Sequence, residues 1–197
     1  MPGRRWAATV TGLAMAAALT ACGGGDDASD ADLSSADADR TPLTESTDDE
    51  LTGYSADERT AYEEAIAAFK HSIRVGYRVY REGEATPEAR RTLASIYSGE
   101  ELDSEWESLR DMEADGGYFV GAAKVVRTEP IRVLVSDQAG TVDLRVCVDR
   151  RHVRVFRHGQ GEVTPPEVKK QAAFKITLDR DSRGTWRVAG GEEIGTC

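Results

Sequence analysis

The spacing of apolar residues changes once along this chain, near Tyr118, and this change restricts the fold more than any other feature of the sequence. Before it, apolar residues such as Ile66, Phe69 and Ile73 recur every three or four positions, which predicts amphipathic helices. After it they alternate with polar residues and are rich in β-branched types, which predicts strands. Helices followed by strands with short connections predict an α+β domain, with the helices packed on one face of an antiparallel sheet.

Turn and cap signals set the limits of these elements. Ser55 with Glu58 has the capping-box pattern of a helix start, and Thr86 with Pro87 pairs a cap with a first-turn proline. Helices are predicted over about 55–82, 86–97 and 99–115, and strands over 118–127, 131–136, 141–149, 152–158, 171–179 and 185–189. The folded domain is therefore predicted to span 55–197.

Residues 1–21 have the pattern of a secretory signal. Arg4 and Arg5 form a charged start, and residues 6–19 form an apolar middle without an acidic residue. That apolar segment is shorter than the roughly 20 residues that a helix needs to cross a bilayer. The segment is therefore predicted to be an export signal and not a membrane span.

The four residues 19–22, Leu-Thr-Ala-Cys, resemble the lipobox of bacterial lipoproteins. The resemblance implies a diacylglyceryl group on the sulfur of Cys22 and cleavage of the chain before it. Two acyl chains give stable attachment, so the predicted location is the extracytoplasmic face of the cell membrane, with the membrane as a partner. The alternative is an ordinary signal peptide that leaves Cys22 as a free thiol.

Residues 22–54 are predicted to be a disordered acidic tether. The segment contains ten acidic residues against one basic residue, Arg40, and almost no large apolar side chain. Such a composition cannot bury enough surface to offset the entropy of ordering. Like charges extend the segment and hold the folded domain away from anionic head groups.

If Cys22 carries lipid, two cysteines remain in the exported domain, Cys147 and Cys197. Cysteines in an oxidising compartment are expected to pair. Cys147 lies on the polar face of its predicted strand, where core packing explains a cysteine poorly. A Cys147–Cys197 disulfide is therefore predicted, and two free thiols are the alternative.

The order of elements resembles the NTF2-like (SnoaL-like) superfamily, and in particular the secreted, lipid-anchored members common in GC-rich Gram-positive bacteria. The resemblance rests on the stripe over 62–69, the segment 93–99, the "VCVD" run in strand 141–149, and the "TWRV" strand followed by Cys197. It implies a cone in which three helices pack against one curved antiparallel sheet of five to six strands. It also implies a pocket inside the cone.

Two groups of residues are candidate binding sites. Four aromatic residues are candidates for lining the implied pocket, although aromatic residues at helical spacing often form core: Tyr77, Tyr97, Trp106 and Tyr118. Four arginines form the most basic stretch and are candidates for binding an anionic wall polymer, head group or acidic partner: Arg150, Arg151, Arg154 and Arg157. The alternative for the second group is an exposed strand that its charges keep soluble.

The sequence contains none of the common catalytic, metal or cofactor motifs. It has three histidines, no HExxH pattern, no cysteine pairs at zinc spacing and no glycine-rich phosphate loop. No catalytic residue, metal or cofactor is therefore predicted, and the formal net charge of −10 argues against nucleic acid.

These features favour a non-catalytic binding or scaffold module for an envelope protein, a wall polymer or a small apolar ligand. Two alternatives remain open. One is an NTF2-like enzyme acting on a small molecule, and the other is an accessory subunit of an envelope transport or wall-synthesis complex.

Overall fold

The computed structural model describes residues 51–168 and 170–197, which belong to one compact unit. The predicted signal segment 1–21, the predicted lipidation residue Cys22 and the predicted tether up to residue 50 lie outside the described residues. Within the described residues, no helix is both long and apolar enough to span a membrane.

The described chain is an α+β domain in which helices precede strands, as the sequence predicts. Its elements are α1 (Ala56–Glu82), α2 (Pro87–Ala94), α3 (Gly99–Ala114), β1 (Gly117–Val120), β2 (Lys124–Val135), β3 (Gly140–Asp149), β4 (Arg154–Arg157), β5 (Gly161–Glu162), β6 (Gln171–Arg180) and β7 (Trp186–Gly195). The predicted capping box is present, because Ser55 accepts from the Glu58 amide and Glu58 accepts from the Ser55 amide. Thr86 likewise caps α2 through the Ala89 amide.

The strands form two antiparallel sheets, so the prediction of one sheet is wrong. The large sheet has the order β2-β3-β6-β7 and the small sheet has the order β1-β4-β5. The division occurs at Gly121, whose φ of 87° ends the predicted strand 118–127. β1 before it pairs with β4, whereas β2 after it pairs with β3.

β2 continues through Pro130, where the sequence predicts a break between two strands. β2 is an edge strand of the large sheet, where a proline without an N–H can be accommodated. Register shifts between Val125 and Arg127 and between Pro130 and Arg132 absorb the irregularity.

The main core lies between α1 and the large sheet. Tyr62, Ala65 and Phe69 of α1 are buried in the same cluster as Val142 and Leu144 of β3. A second cluster joins the three helices through Val79, Leu93 and Leu109. Full burial of a side chain such as Leu144 contributes about 1.5–3 kcal/mol to folding, so these clusters fix the helices against the sheet.

Folded structure begins before residue 55. Leu51 and Tyr54 are partly buried against the main core, although both fall inside the predicted tether. Their apolar side chains distinguish these positions from the preceding acidic segment.

The predicted disulfide between Cys147 and Cys197 is present, with 5.9 Å between the two Cα atoms. Cys147 of β3 pairs with Ala173 of β6, and Ala173 pairs with Gly195 of β7. β7 therefore extends past Ala189, where the sequence predicts its end, and the bridge spans three neighbouring strands. The polar face of β3 is also covered, because Asp143 is buried and binds Arg132 and Thr177.

The connection between α2 and α3 lies along the outer side of β7. The Val188 amide donates to the Ile96 carbonyl at 2.9 Å, and the Ser98 amide donates to the Val188 carbonyl at 2.9 Å. Tyr97 and Val188 thus form an isolated parallel bridge. This contact positions Tyr97 between the helices and the large sheet.

Candidate functional site

A cavity of about 560 Å³ lies between α1, α3 and the two sheets. Its walls are mainly aromatic and aliphatic side chains, including Phe69, Ile73, Phe119, Val155, Phe174 and Ile176. Pockets of about 300–1,000 Å³ with apolar walls and a few polar groups are typical of small-molecule sites. This cavity is therefore the candidate functional site.

α1 supplies one wall through residues at helical spacing. Phe69, Ile73, Gly76 and Tyr80 are three or four positions apart and therefore share a face. Gly76 leaves room for the hydroxyl of Tyr97, which lies 3.2 Å from where a Cβ at position 76 would be. The absence of a side chain at Gly76 thus admits Tyr97 to the cavity wall.

Aromatic rings meet where α1 faces β1. The ring centroid of Phe119 lies 5.8 Å from that of Tyr77 and 5.2 Å from that of Tyr80. These distances are typical of favourable ring pairs. The three rings give this side of the cavity a continuous aromatic surface.

α3 contributes two carboxyl groups, Glu101 and Glu105, which are one helical turn apart and both line the cavity. Tyr80 donates from its hydroxyl to Oε2 of Glu105 at 2.6 Å and to the Glu105 carbonyl at 3.1 Å. Burial raises the pKa of Glu105; the hydrogen bond from Tyr80 opposes that increase and the nearby charge of Glu101 adds to it. Burial also raises the pKa of Glu101, which accepts a hydrogen bond from the Gly191 amide.

Two further phenols adjoin these carboxyl groups. Burial raises the pKa of Tyr77 to about 12. Burial also raises the pKa of Tyr97, and the charges of Glu105 and Glu101 raise it further. Neither phenol hydroxyl makes a hydrogen bond to another residue in the described part of the chain. The cavity therefore contains two neutral hydroxyls that can donate to or accept from a ligand.

The basic residues of the cavity already have acidic partners. Nη2 of Arg150 lies 3.0 Å from Oε2 of Glu193, and its guanidinium lies over the ring of Phe174 at 5.1 Å. Nη2 of Arg157 lies 2.8 Å from Oδ2 of Asp115. The positive charges of the cavity are thus balanced within the protein.

The four arginines of the basic stretch do not all face the cavity. Arg150 and Arg157 line it, whereas Arg151 and Arg154 are outside its lining. Arg151 pairs with Asp149 at 2.7 Å, and Arg154 lies 3.9 Å from Glu162. Each of the four has an acidic neighbour, and anion binding by this stretch stays a prediction.

Two of the four predicted aromatic residues line the cavity, Tyr77 and Tyr97. Trp106 follows Glu105 on α3 and packs instead in the helical cluster, with Arg90 over its ring at 5.6 Å. Tyr118 precedes Phe119 on β1, stacks on Phe156 and contacts the ring of His158 at a tilt. Neighbouring positions on a helix or strand face different ways, so these two side chains are directed away from the lining.

Glu101 and Glu105 are not among the site residues that the sequence predicts. Their spacing places Glu101, Glu105, Ser108 and Met112 on one face of α3, but only the folded structure shows that this face borders the cavity. Among the described residues, no group of three or more His, Cys, Asp or Glu side chains is arranged to hold a metal ion.

No protein-family model matches this chain, and no curated protein matches it. Solved structures with some similarity include the intermembrane space region of the chloroplast protein ARC6, with 13% identity over 73% of this chain and 100% of that chain and a TM-score of 0.47. A protein from Catenulispora acidiphila in complex with S-DNPA has 11% identity over 68% of this chain and 92% of that one, with a TM-score of 0.39. A de novo designed β-sheet protein has 18% identity over 68% and 90%, with a TM-score of 0.30. At these TM-scores the similarity supports no argument about function.

Proposed function

We propose that this protein is a lipid-anchored binding module that holds a small, largely apolar molecule in the cavity between its helices and sheets. The observation that carries the proposal is the cavity itself, which has the volume and apolar lining of a small-molecule site. We also propose that the domain is an NTF2-like cone. The order of helices before strands, and a pocket between them, support that assignment.

A larger side chain that occupies part of the cavity tests whether a small molecule binds there. Ile73 lines the cavity, so Ile73→Trp is expected to weaken binding of the neutral fluorescent probe N-phenylnaphthylamine at least about tenfold, equivalent to 1.4 kcal/mol. Fluorescence titration measures the affinity. Arg74→Trp is the matched control, since Arg74 is exposed on the same helix and should leave affinity unchanged. Equal affinity in both variants would place the probe elsewhere and contradict the proposal.

The proposed location is the extracytoplasmic face of the cell membrane, with Cys22 as the lipid-bearing residue. The sequence of residues 1–22 supports it, and so does the disulfide, because disulfides form and persist in oxidising compartments. A wall polymer or an envelope protein is an alternative partner. We favour a small molecule because the cavity is the feature best suited to binding.

Substitution of Cys22 with Ala tests the anchor. In the native host, the unaltered protein is expected in the membrane fraction, with a diacylglyceryl mass on a chain that begins at Cys22. Cys22→Ala is expected to lose both the lipid mass and membrane retention. An unmodified, soluble wild-type protein would contradict the proposal.

The second candidate function is an enzyme acting on a small molecule. The observation that favours it is Glu105, a carboxyl group with a raised pKa that is hydrogen-bonded to Tyr80 inside the cavity. Mass spectrometry distinguishes the binding module from the enzyme. A compound that is released from the protein is analysed before and after it is incubated with the protein. A binding module leaves its mass unchanged, whereas an enzyme converts it.

A further inference from the structure

We propose that the cavity binds an organic cation, an amine or quaternary ammonium group attached to an apolar body, with the charged group beside Glu101 and Glu105. This inference rests on the proposed small-molecule binding function and names the ligand class. It follows from three features of the cavity: its unbalanced charge, the position of its carboxyl groups, and its aromatic surface.

The first feature is the charge of the lining. The cavity's arginines, Arg150 and Arg157, pair with Glu193 and Asp115. In contrast, neither Glu101 nor Glu105 pairs with a basic residue anywhere in the described part of the chain. When these two carboxyl groups are ionised, the charge that remains for a ligand to balance is therefore negative.

The second feature is the placement of the two carboxyl groups. They lie on one face of α3 and are both partly buried in the cavity wall. An ionised carboxyl group that is removed from water without a cation is destabilised, and the raised pKas of both groups reflect this. A bound ammonium group would supply the missing partner, and the hydroxyls of Tyr77 and Tyr97 are free to complete its surroundings.

The third feature is the aromatic surface beside the carboxyl groups. Tyr80 connects the aromatic surface with the carboxyl groups, because its hydroxyl donates to Glu105 and its ring stacks on Phe119. Aromatic faces attract ammonium groups through their quadrupole, and aromatic pockets with carboxylates are suited to alkylammonium ligands. The apolar body then occupies the remaining cavity toward Phe174 and Ile176.

An anionic ligand fits this arrangement less well. To reach Arg150 or Arg157 it would have to displace Glu193 or Asp115, which lie 3.0 and 2.8 Å from the respective guanidinium groups. It would also approach two carboxyl groups that lack cationic partners. The arrangement therefore favours a cation over an anion.

Three probes with one apolar body test the inference: naphthylethylammonium, naphthylethanol and naphthylacetate. Affinities are measured by fluorescence or calorimetry at several pH values from neutral to mildly alkaline, because the raised pKas of both carboxyl groups favour their neutral forms at lower pH. The ammonium compound is expected to bind about tenfold or more tightly than the alcohol, and the carboxylate more weakly than the alcohol.

Substitutions on α3 assign the preference to the two carboxyl groups. Glu105→Gln and Glu101→Gln are each expected to reduce ammonium affinity about ten- to a hundredfold and to change alcohol affinity little. Glu107→Gln is the matched control, because Glu107 is exposed on the same helix and outside the lining. Unchanged melting temperatures verify that the variants fold.

The outcomes separate this inference from the proposed function. If the alcohol binds and the ammonium compound binds no better, the ligand class is overturned and the binding function stands. If the ammonium preference persists in both Gln variants, the assigned site is overturned. If none of the three probes binds, the proposed function fails and the inference fails with it.

Discussion

Substitution of Cys197 with Ser is expected to lower the free energy of unfolding by about 4 kcal/mol. The disulfide joins residues that are 50 positions apart, so its loss restores a large loop-closure entropy to the unfolded chain. It also releases the end of β7 from β3, across β6. Urea denaturation followed by circular dichroism under non-reducing conditions measures the change.

Two comparisons show whether the effect belongs to the bridge. The double variant Cys147→Ser/Cys197→Ser should be slightly less stable than Cys197→Ser, because Cys147 is buried and a serine at that position buries a hydroxyl group. Wild-type protein under reductant should match Cys197→Ser. If the free energy of unfolding of Cys197→Ser lies within about 0.5 kcal/mol of that of the oxidised wild type, the bridge does not stabilise the fold.

Gly121→Ala is expected to cost about 2–5 kcal/mol, the sum of a backbone and a steric contribution. Gly121 has a φ of 87°, a conformation that L side chains rarely adopt. A Cβ there would lie 2.1 Å from the carbonyl oxygen of His152, which is backbone and cannot rotate away. Because Gly121 separates β1 from β2, the substitution disturbs the boundary between the two sheets.

Gly159→Ala separates the two contributions. Gly159 has a φ of 76°, and a Cβ there would meet nothing within 4 Å, so only the backbone cost of about 1–2 kcal/mol applies. Thermal and urea denaturation of both variants give the difference. Equal destabilisation would show that the contact with His152 relaxes without cost.

The starts of the helices could be predicted because local hydrogen bonds determine them. The capping box at Ser55 and the cap at Thr86 each involve residues only three positions apart. The disulfide could also be predicted, because the choice among three cysteines is small once Cys22 is assigned to lipid. Such features depend on neighbouring residues or on simple counting.

The division into two sheets could not be predicted, because it depends on contacts distant in sequence. The break at Gly121 follows from the approach of His152, which lies 31 positions later. The proline at position 130 predicts a strand break, but β2 is an edge strand, where a proline can be accommodated. Strand boundaries are therefore set by which strand lies alongside, and the local pattern does not contain that information.

The candidate site was predicted only in part for a related reason. The apolar spacing identifies the buried stripe of α3 but gives no reason to select the glutamates beside it. Glu101 and Glu105 face the cavity because α3 packs against β7, β1 and α2, an arrangement that tertiary contacts determine. Tyr77 and Tyr97 could be predicted to line the cavity because they are aromatic. The same criterion selects Trp106, which packs in the helical cluster instead.

The main-chain contact of Ile96 and Ser98 with Val188 also limits the pairing of this sheet edge with strands of other molecules. An exposed sheet edge offers unpaired amides and carbonyls to strands of other molecules and promotes aggregation. At Val188 both backbone groups are already occupied by the connection between α2 and α3. The opposite edge is β2, where Pro130 lacks an amide and two register shifts interrupt regular pairing. Each edge of the large sheet thus carries its own protection against intermolecular β-sheet growth, one by coverage and the other by irregularity.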